Sequence, residues 1–271
     1  MTPTIRPPAV AGSFYPADPA ELVRTVDELL ADVSNKPAAA APKVLIVPHA
    51  GYVYSGPVAA SAYAHLKQAA RAIRRVVLLG PVHRVPIRGL ALPEAQALAT
   101  PLGVIPVDAD AVHAIAHLPQ VGVSAAAHAL EHSLEVQLPF LQRMLGDFSV
   151  VPLAVGDATP GEVAEVIDAL WGGAETLIVI SSDLSHYLPY AVARDVDGET
   201  AQQILALGPD TLTHEQACGA TPVNGLLSVA RRRRLRPALL DLRNSGDTAG
   251  PRDQVVGYSA FAFYEDAAHV H

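Results

Sequence analysis

Short apolar runs alternate with amphipathic stretches along most of the chain. Runs rich in Val, Ile and Leu predict strands at Lys43–Val47, Arg75–Leu79, Ser149–Val155, Thr176–Ser181, Pro237–Leu242 and Val255–Tyr264. Helical spacing of apolar positions predicts helices at Val58–Ala70, Asp108–His117, His128–Leu145, Pro160–Trp171, Val192–Leu207 and Pro222–Arg233. An earlier helix is expected over about Pro19–Ser34, with Leu22, Val26, Leu29 and Leu30 on one face and Asp18 capping it ahead of Pro19. The Ala- and Pro-rich stretch Lys36–Pro42 reads as a short linker, and Gly89–Leu92 and Gly103–Val107 as short extra strands. The alternation predicts an α/β fold: a layered, mostly parallel central sheet flanked by helices, with the closely spaced last two strands at an antiparallel edge. One domain is expected over residues 1–271, with an ordered core from about residue 11 to 264.

Composition supports a packed chain. Half of the residues are hydrophobic and 17% are charged, so disorder is excluded. The longest aliphatic runs, such as Val76–Leu79 and Leu177–Ile180, are strand-sized, far short of the ~20 apolar residues a membrane helix needs. The net charge of -8 argues against nucleic acid as a partner. The one basic run, Arg231–Arg234 with Arg236 after it, reads as the polar end of a helix. A single cysteine, Cys218, excludes an intrachain disulfide. Met1–Val10 lacks the basic stretch and apolar core of a secretory signal, so a cytoplasmic location is expected, with no membrane partner.

In parallel α/β sheets, ligands bind beyond the carboxyl ends of the strands. Lys43–Val47 runs into Pro48-His49-Ala50-Gly51-Tyr52, Arg75–Leu79 into Gly80-Pro81-Val82-His83, and Thr176–Ser181 into Ser182-Asp183-Leu184-Ser185-His186. A lone loop histidine is usually structural or merely exposed. Histidines at several strand ends, all aimed at one crevice, predict a shared polar site. Imidazole is both the commonest metal ligand and a proton carrier near neutral pH. Asp183 and His186 share a turn and can act together, a carboxylate fixing the ring's tautomer. Alternatively, Asp183 caps the following segment.

The predicted helix His128–Leu145 opens with His128-Ala129-Leu130-Glu131-His132-Ser133-Leu134-Glu135. Its H-x-x-E-H string formally matches an inverted zinc-peptidase pattern, although no third ligand can be placed downstream. The other reading puts Glu131 and His132 on the side of the crevice, or at the helix start. Pro139 should kink this helix. Cys218 precedes a helix opened by Pro222, where a helix dipole favours a thiolate that binds soft or borderline metals. As a free cysteine it is equally a small buried apolar residue. Gly246-Asp247-Thr248 forms another strand-end loop, and no dinucleotide, P-loop or G-x-S-x-G pattern is present. His269 and His271 read as a solvated tail.

Taken in order, several motifs resemble the Memo family, whose prokaryotic members are called AmmeMemoRadiSam system protein B. They are Ala11-Gly12-Ser13-Phe14-Tyr15, Pro48 to Gly56, Leu79 to His83, Glu131 to Phe140, Ser181 to His186 and Cys218 to Pro222. The resemblance runs from about Ala11 to Tyr264. It implies a fold like that of class III extradiol dioxygenases, which hold Fe(II) with two histidines and a carboxylate. It also implies His49 and His83 as metal ligands, His186 as the acid/base and Cys218 in place of the carboxylate. A thiolate there makes a softer site that suits copper or zinc as well as iron, and a redox-labile one. Partnership with radical SAM and AMMECR-type proteins is implied by the family name.

The resulting expectation is a metalloprotein with one mononuclear site, Fe(II) on His49, His83 and Cys218. His186 would move protons, oriented by Asp183, and Tyr52, Glu131 and His132 would line the pocket. The expected activity is oxidation of a small organic substrate. The competing reading is a module that holds copper or iron, or docks a peptide, without turnover.

Overall fold

The computed structural model describes residues 3–33, 40–208 and 211–265. Ser34 of the first predicted helix, residues 36–39 of the linker, and His269 and His271 lie outside the described residues.

From the N-terminus, β1 (Ile5–Arg6) leads to α1 (Pro19–Ala31), β2 (Val44–Val47), α2 (Tyr52–Tyr63) and β3 (Arg75–Pro81). Then come β4 (Leu90–Leu92), β5 (Ala97–Thr100), β6 (Gly103–Pro106), α3 (Ala109–Ile115), β7 (Val121–Val123), α4 (Ala125–Ala129) and α5 (Leu138–Met144). The C-terminal half contributes β8 (Ser149–Val155), α6 (Pro160–Ala169), β9 (Thr176–Ser181), β10 (His186–Leu188), α7 (Tyr190–Leu205), α8 (Ala220–Arg233), β11 (Arg236–Asn244) and β12 (Val255–Tyr264).

The main sheet runs β10-β12-β2-β9-β3-β8-β4-β7, with β11 on β12 as well. Its centre, β2-β9-β3-β8, is parallel, as predicted, while β12 pairs antiparallel with β2, and β11 with β12. Successive residues of the central strands point to opposite faces. Leu45, Val47, Val76, Leu78, Leu177 and Val179 enter one core, with α1, α2 and α5. Val44, Ile46, Val77, Leu79, Ile178 and Ile180 enter the other, with α3, α6, α7 and α8. Each such side chain contributes roughly 1.5–3 kcal/mol on burial, and a sheet covered on both faces needs continuous aliphatic runs. Those runs are what made the strands readable.

Helix starts follow local chemistry. The Asp18 carboxylate accepts from the Glu21 N–H at 2.8 Å ahead of Pro19. Thr159 and Glu162 form a capping box around Pro160. The basic run at the end of α8 is structural: Arg232 and Arg233 pair with Asp168, and Arg233 lies over Trp171.

The predicted helix His128–Leu145 is not continuous. α4 stops at Ala129, residues 130–134 form a loop, and α5 begins at Leu138 with Pro139 in its first turn rather than at a kink. α2 begins at Tyr52, earlier than the predicted Val58. The 128–135 stretch is clamped by the N-terminal segment. Arg6 donates to the carbonyls of His128 and Glu131 and pairs with Glu135, whose carboxylate also accepts from Ala9 N–H, Val10 N–H and Tyr15 Oη. Among the described residues no helix is long and apolar enough to cross a membrane.

Candidate metal centre

β2, β9 and β3 are adjacent and parallel, with Val47 in register with Ser181 and Ile180 with Leu79. Their carboxyl ends therefore open at one place. Two glycines let further loops close on that place. A Cβ on Gly80 would lie 2.9 Å from Ser133 Oγ, so the absence of one lets the 131–134 loop pack on the end of β3. A Cβ on Gly219 would lie 2.6 Å from Ser182 Cβ, so only glycine lets the Cys218 turn rest on the end of β9.

His49, His83 and His132 come together there, with one ring nitrogen of each within 4.8 Å of the others. The His83 and His132 ring centroids are 4.6 Å apart, and those of His49 and His83 5.1 Å. His132, expected as pocket wall, is thus the third member of the cluster. The Cys218 sulfur is outside that mutual set but sits 3.3 Å from His49 Nε2.

The inward lone pairs are set by proton accounting. Ser181 Oγ donates to the Ser133 carbonyl at 2.6 Å and accepts from Gln137 Nε2 at 2.9 Å. Its only proton is therefore used, and the His49 Nδ1 contact at 2.9 Å requires the imidazole to donate. His49 Nε2 is left as an acceptor facing Cys218. Gln137 is oriented in turn: its amide N–H₂ also donates to the Pro48 carbonyl, and its oxygen accepts from Tyr63 Oη. At His83, Nδ1 lies 2.9 Å from Glu131 Oε1, which can only accept, so Nε2 again is free. His132 Nδ1 lies 3.3 Å from the same oxygen. A carboxylate or hydroxyl behind each ring is the usual support of a histidine ligand.

Glu131 is 2% exposed; it also accepts from the backbone N–H of His83, His132 and Ser133. Burial alone would raise its pKa, but the bonds from His83 and these N–H groups prevail and hold it at about 2. Burial pushes the His49 pKa well below the usual 6.5, reinforced by His83 and His132, and lowers that of His132 to about 4. Burial thus keeps the His49 and His132 rings neutral, as ligands must be.

Asp183 does not orient His186. Its Oδ1 accepts the His49 backbone N–H at 2.7 Å, whereas His186 Nδ1 donates to the Leu184 carbonyl at 2.8 Å. Burial raises Asp183 to about 7. Cys218 donates its N–H to the Asp183 carbonyl, and burial pushes its thiol up to about 12, with the Asp183 charge adding to the shift. Tyr52, expected in the pocket, is core: it is 5% exposed, its hydroxyl donates to the Val136 carbonyl at 2.6 Å and its ring packs on Phe140. His128 turns away, its Nε2 donating to the Ala91 carbonyl at 2.8 Å. The H-x-x-E-H reading thus loses its first ligand.

Two clefts meet at His83 and Cys218. One, of about 510 Å³, runs along the 82–87 loop; the other, of about 570 Å³, contains His186 and Tyr187. His214 borders both and was not anticipated, nor were Ser181 and Gln137 as supports. The last two lie inside motifs already noted, one at a strand end and one beside Glu135. Nothing in the sequence flags His214.

A family model described as Memo-like protein matches residues 6–262. The chain belongs to the Memo family. A MEMO1 family protein of Aquifex aeolicus is 37% identical over 96% of this Memo-family chain and 99% of its own length. One from Ignicoccus hospitalis is 36% identical over 96% and 98%. Among solved structures, an uncharacterized protein from Escherichia coli K12 superposes with a TM-score of 0.51 at 14% identity, covering 81% of this chain and 98% of that one, a likeness of fold alone.

Proposed function

We propose that this Memo-family chain is a mononuclear metalloprotein whose ion is held by His49, His83 and His132, with the Cys218 thiol as a neighbouring further donor. The observation that carries this is the convergence of three imidazoles, with the outer nitrogens of His49 and His83 committed to Ser181 and Glu131. The donor set fits an ion. Three nitrogens sharing one ion at about 2.1 Å sit roughly 3.0–3.6 Å from one another, so ring nitrogens within 4.8 Å need to close by about an ångström.

Fe(II) is the proposed ion, and the thiol makes copper or zinc the alternatives. Bound there, Fe(II) would supply open coordination positions for O₂ and a small organic substrate. The chain's own groups do the rest. Glu131 and Ser181 keep proton-free nitrogens facing inward. Asp183 is a positioning residue, pinning the backbone of His49. His186, anchored through Nδ1, lines the second cleft and is the proposed proton carrier. The Cys218 thiol, a donor suited to soft metals, supports a second reading, an iron- or copper-holding module without turnover.

The test is metal content of anaerobically purified wild type beside His49→Ala, His83→Ala, His132→Ala and Cys218→Ser. Metal lost with each histidine and largely kept in Cys218→Ser supports the three-histidine site. Loss with Cys218→Ser but not His132→Ala makes the thiol the third ligand. Metal-free wild type ends the reading. O₂ consumption with catechol-type substrates then separates turnover from storage.

A further inference from the structure

The cleft along the 82–87 loop has walls of mixed polarity, with Val82, Val85, Ile87 and Pro222 among their apolar residues. It carries one guanidinium, Arg84, directly after His83. Arg75, Arg143, Arg232 and Arg243 each engage a carboxylate. Arg84 makes no hydrogen bond or ion pair among the described residues, and neither does the cleft's one carboxylate, Asp157, with its side chain. A guanidinium has five N–H donors in a fork that matches carboxylate or phosphate oxygens. In a chain of net charge -8, anions are disfavoured except where a local cation stands. Arg84 is such a cation, and its charge bears on His132 in the histidine cluster.

We propose that Arg84 is the specificity residue of this cleft, pairing with the anionic group of a small ligand whose apolar body lies along the 82–87 loop and reaches toward the three histidines. The anion is a carboxylate or a phosphate. The proposal deepens the metal-site reading, since it names the substrate class of the same site and rests on that reading for the reaction.

The experiment is calorimetric titration of metal-free and metal-loaded protein with benzoate, phenyl phosphate and benzyl alcohol. Wild type should bind one of the anions at least about tenfold more tightly than the neutral alcohol. Arg84→Gln should bring anion and alcohol within about twofold, and Arg84→Glu should abolish anion binding, while Arg84→Lys retains part of the preference. Tighter phenyl phosphate than benzoate assigns a phosphate, and the reverse a carboxylate. Metal content of Arg84→Gln should equal that of wild type. An undiminished preference in Arg84→Gln overturns the proposal, as does no anion binding by wild type up to about 10 mM. If wild type holds no metal but its metal-free form discriminates through Arg84, the metal reading fails and the anion subsite stands.

Discussion

Glu131 and Asp183 are both buried carboxylates, 2% and 4% exposed, within reach of the same histidine cluster, yet only one of them ends above the ordinary carboxylate range. Glu131 receives three backbone N–H bonds and the His83 ring, and sits at about 2. Asp183 receives the N–H groups of His49 and Ala50, and sits at about 7. The number and kind of donors thus decide charge where depth alone would not. Glu131 is a fixed negative charge behind two imidazoles. Asp183 is a clamp whose charge changes with pH.

The largest effect should come from Glu131→Ala. It strips the acceptor from three N–H groups and from His83, and should cost on the order of 3 kcal/mol in denaturant unfolding. Metal affinity should fall about 10–100-fold, read by chelator competition. Asp183→Asn keeps an acceptor for His49 but cannot ionise. In metal-free wild type, a folded pKa of about 7 against the ordinary 3.8 means stabilisation that is complete below the unfolded value and lost as pH rises through the folded one. The difference in stability between wild type and Asp183→Asn should therefore shift by about 4 kcal/mol between acid and neutral pH, and a flat difference would break the comparison. Ser181→Ala removes the acceptor that fixes the His49 tautomer. Metal affinity should drop about tenfold, with a stability loss of about 1–3 kcal/mol because Ser133, Gln137 and His49 each lose a buried partner. The smallest effect belongs to Tyr52→Phe, about 1 kcal/mol from the lost bond to Val136, with metal content unchanged. Lost metal there would return Tyr52 to the site.

The central sheet was legible because β2, β3, β8 and β9 are nearly pure aliphatic runs, buried on both faces. The strand-end histidines followed from that sheet, since parallel neighbours share an exit. The 128–145 region was not legible. Leu130, Leu134, Leu138 and Leu141 keep helical spacing, but Glu131 spends its carboxylate on the N–H groups of His132 and Ser133 and on His83, competing with helical bonding there. Long-range partners override local propensity at that point. The same override hid His132, which reaches the cluster only because the loop leaves the helix. Tyr52 misled for the converse reason. It neighbours a site residue in sequence, yet its hydroxyl finds its partner in the core. Asp183 beside His186 was a pairing by proximity along the chain, whereas the carboxylate reaches across to the neighbouring strand's loop.

One carboxylate outside the histidine cluster has a practical consequence. Because Glu135 is gripped at once by Arg6, Ala9, Val10 and Tyr15, the opening stretch of the polypeptide works as a seat belt for the loop that carries His132. Amide exchange in residues 6–15 and 128–135 should accelerate together when Arg6 is replaced by Met. The seating of His132 thereby rests on a segment more than a hundred positions upstream of it.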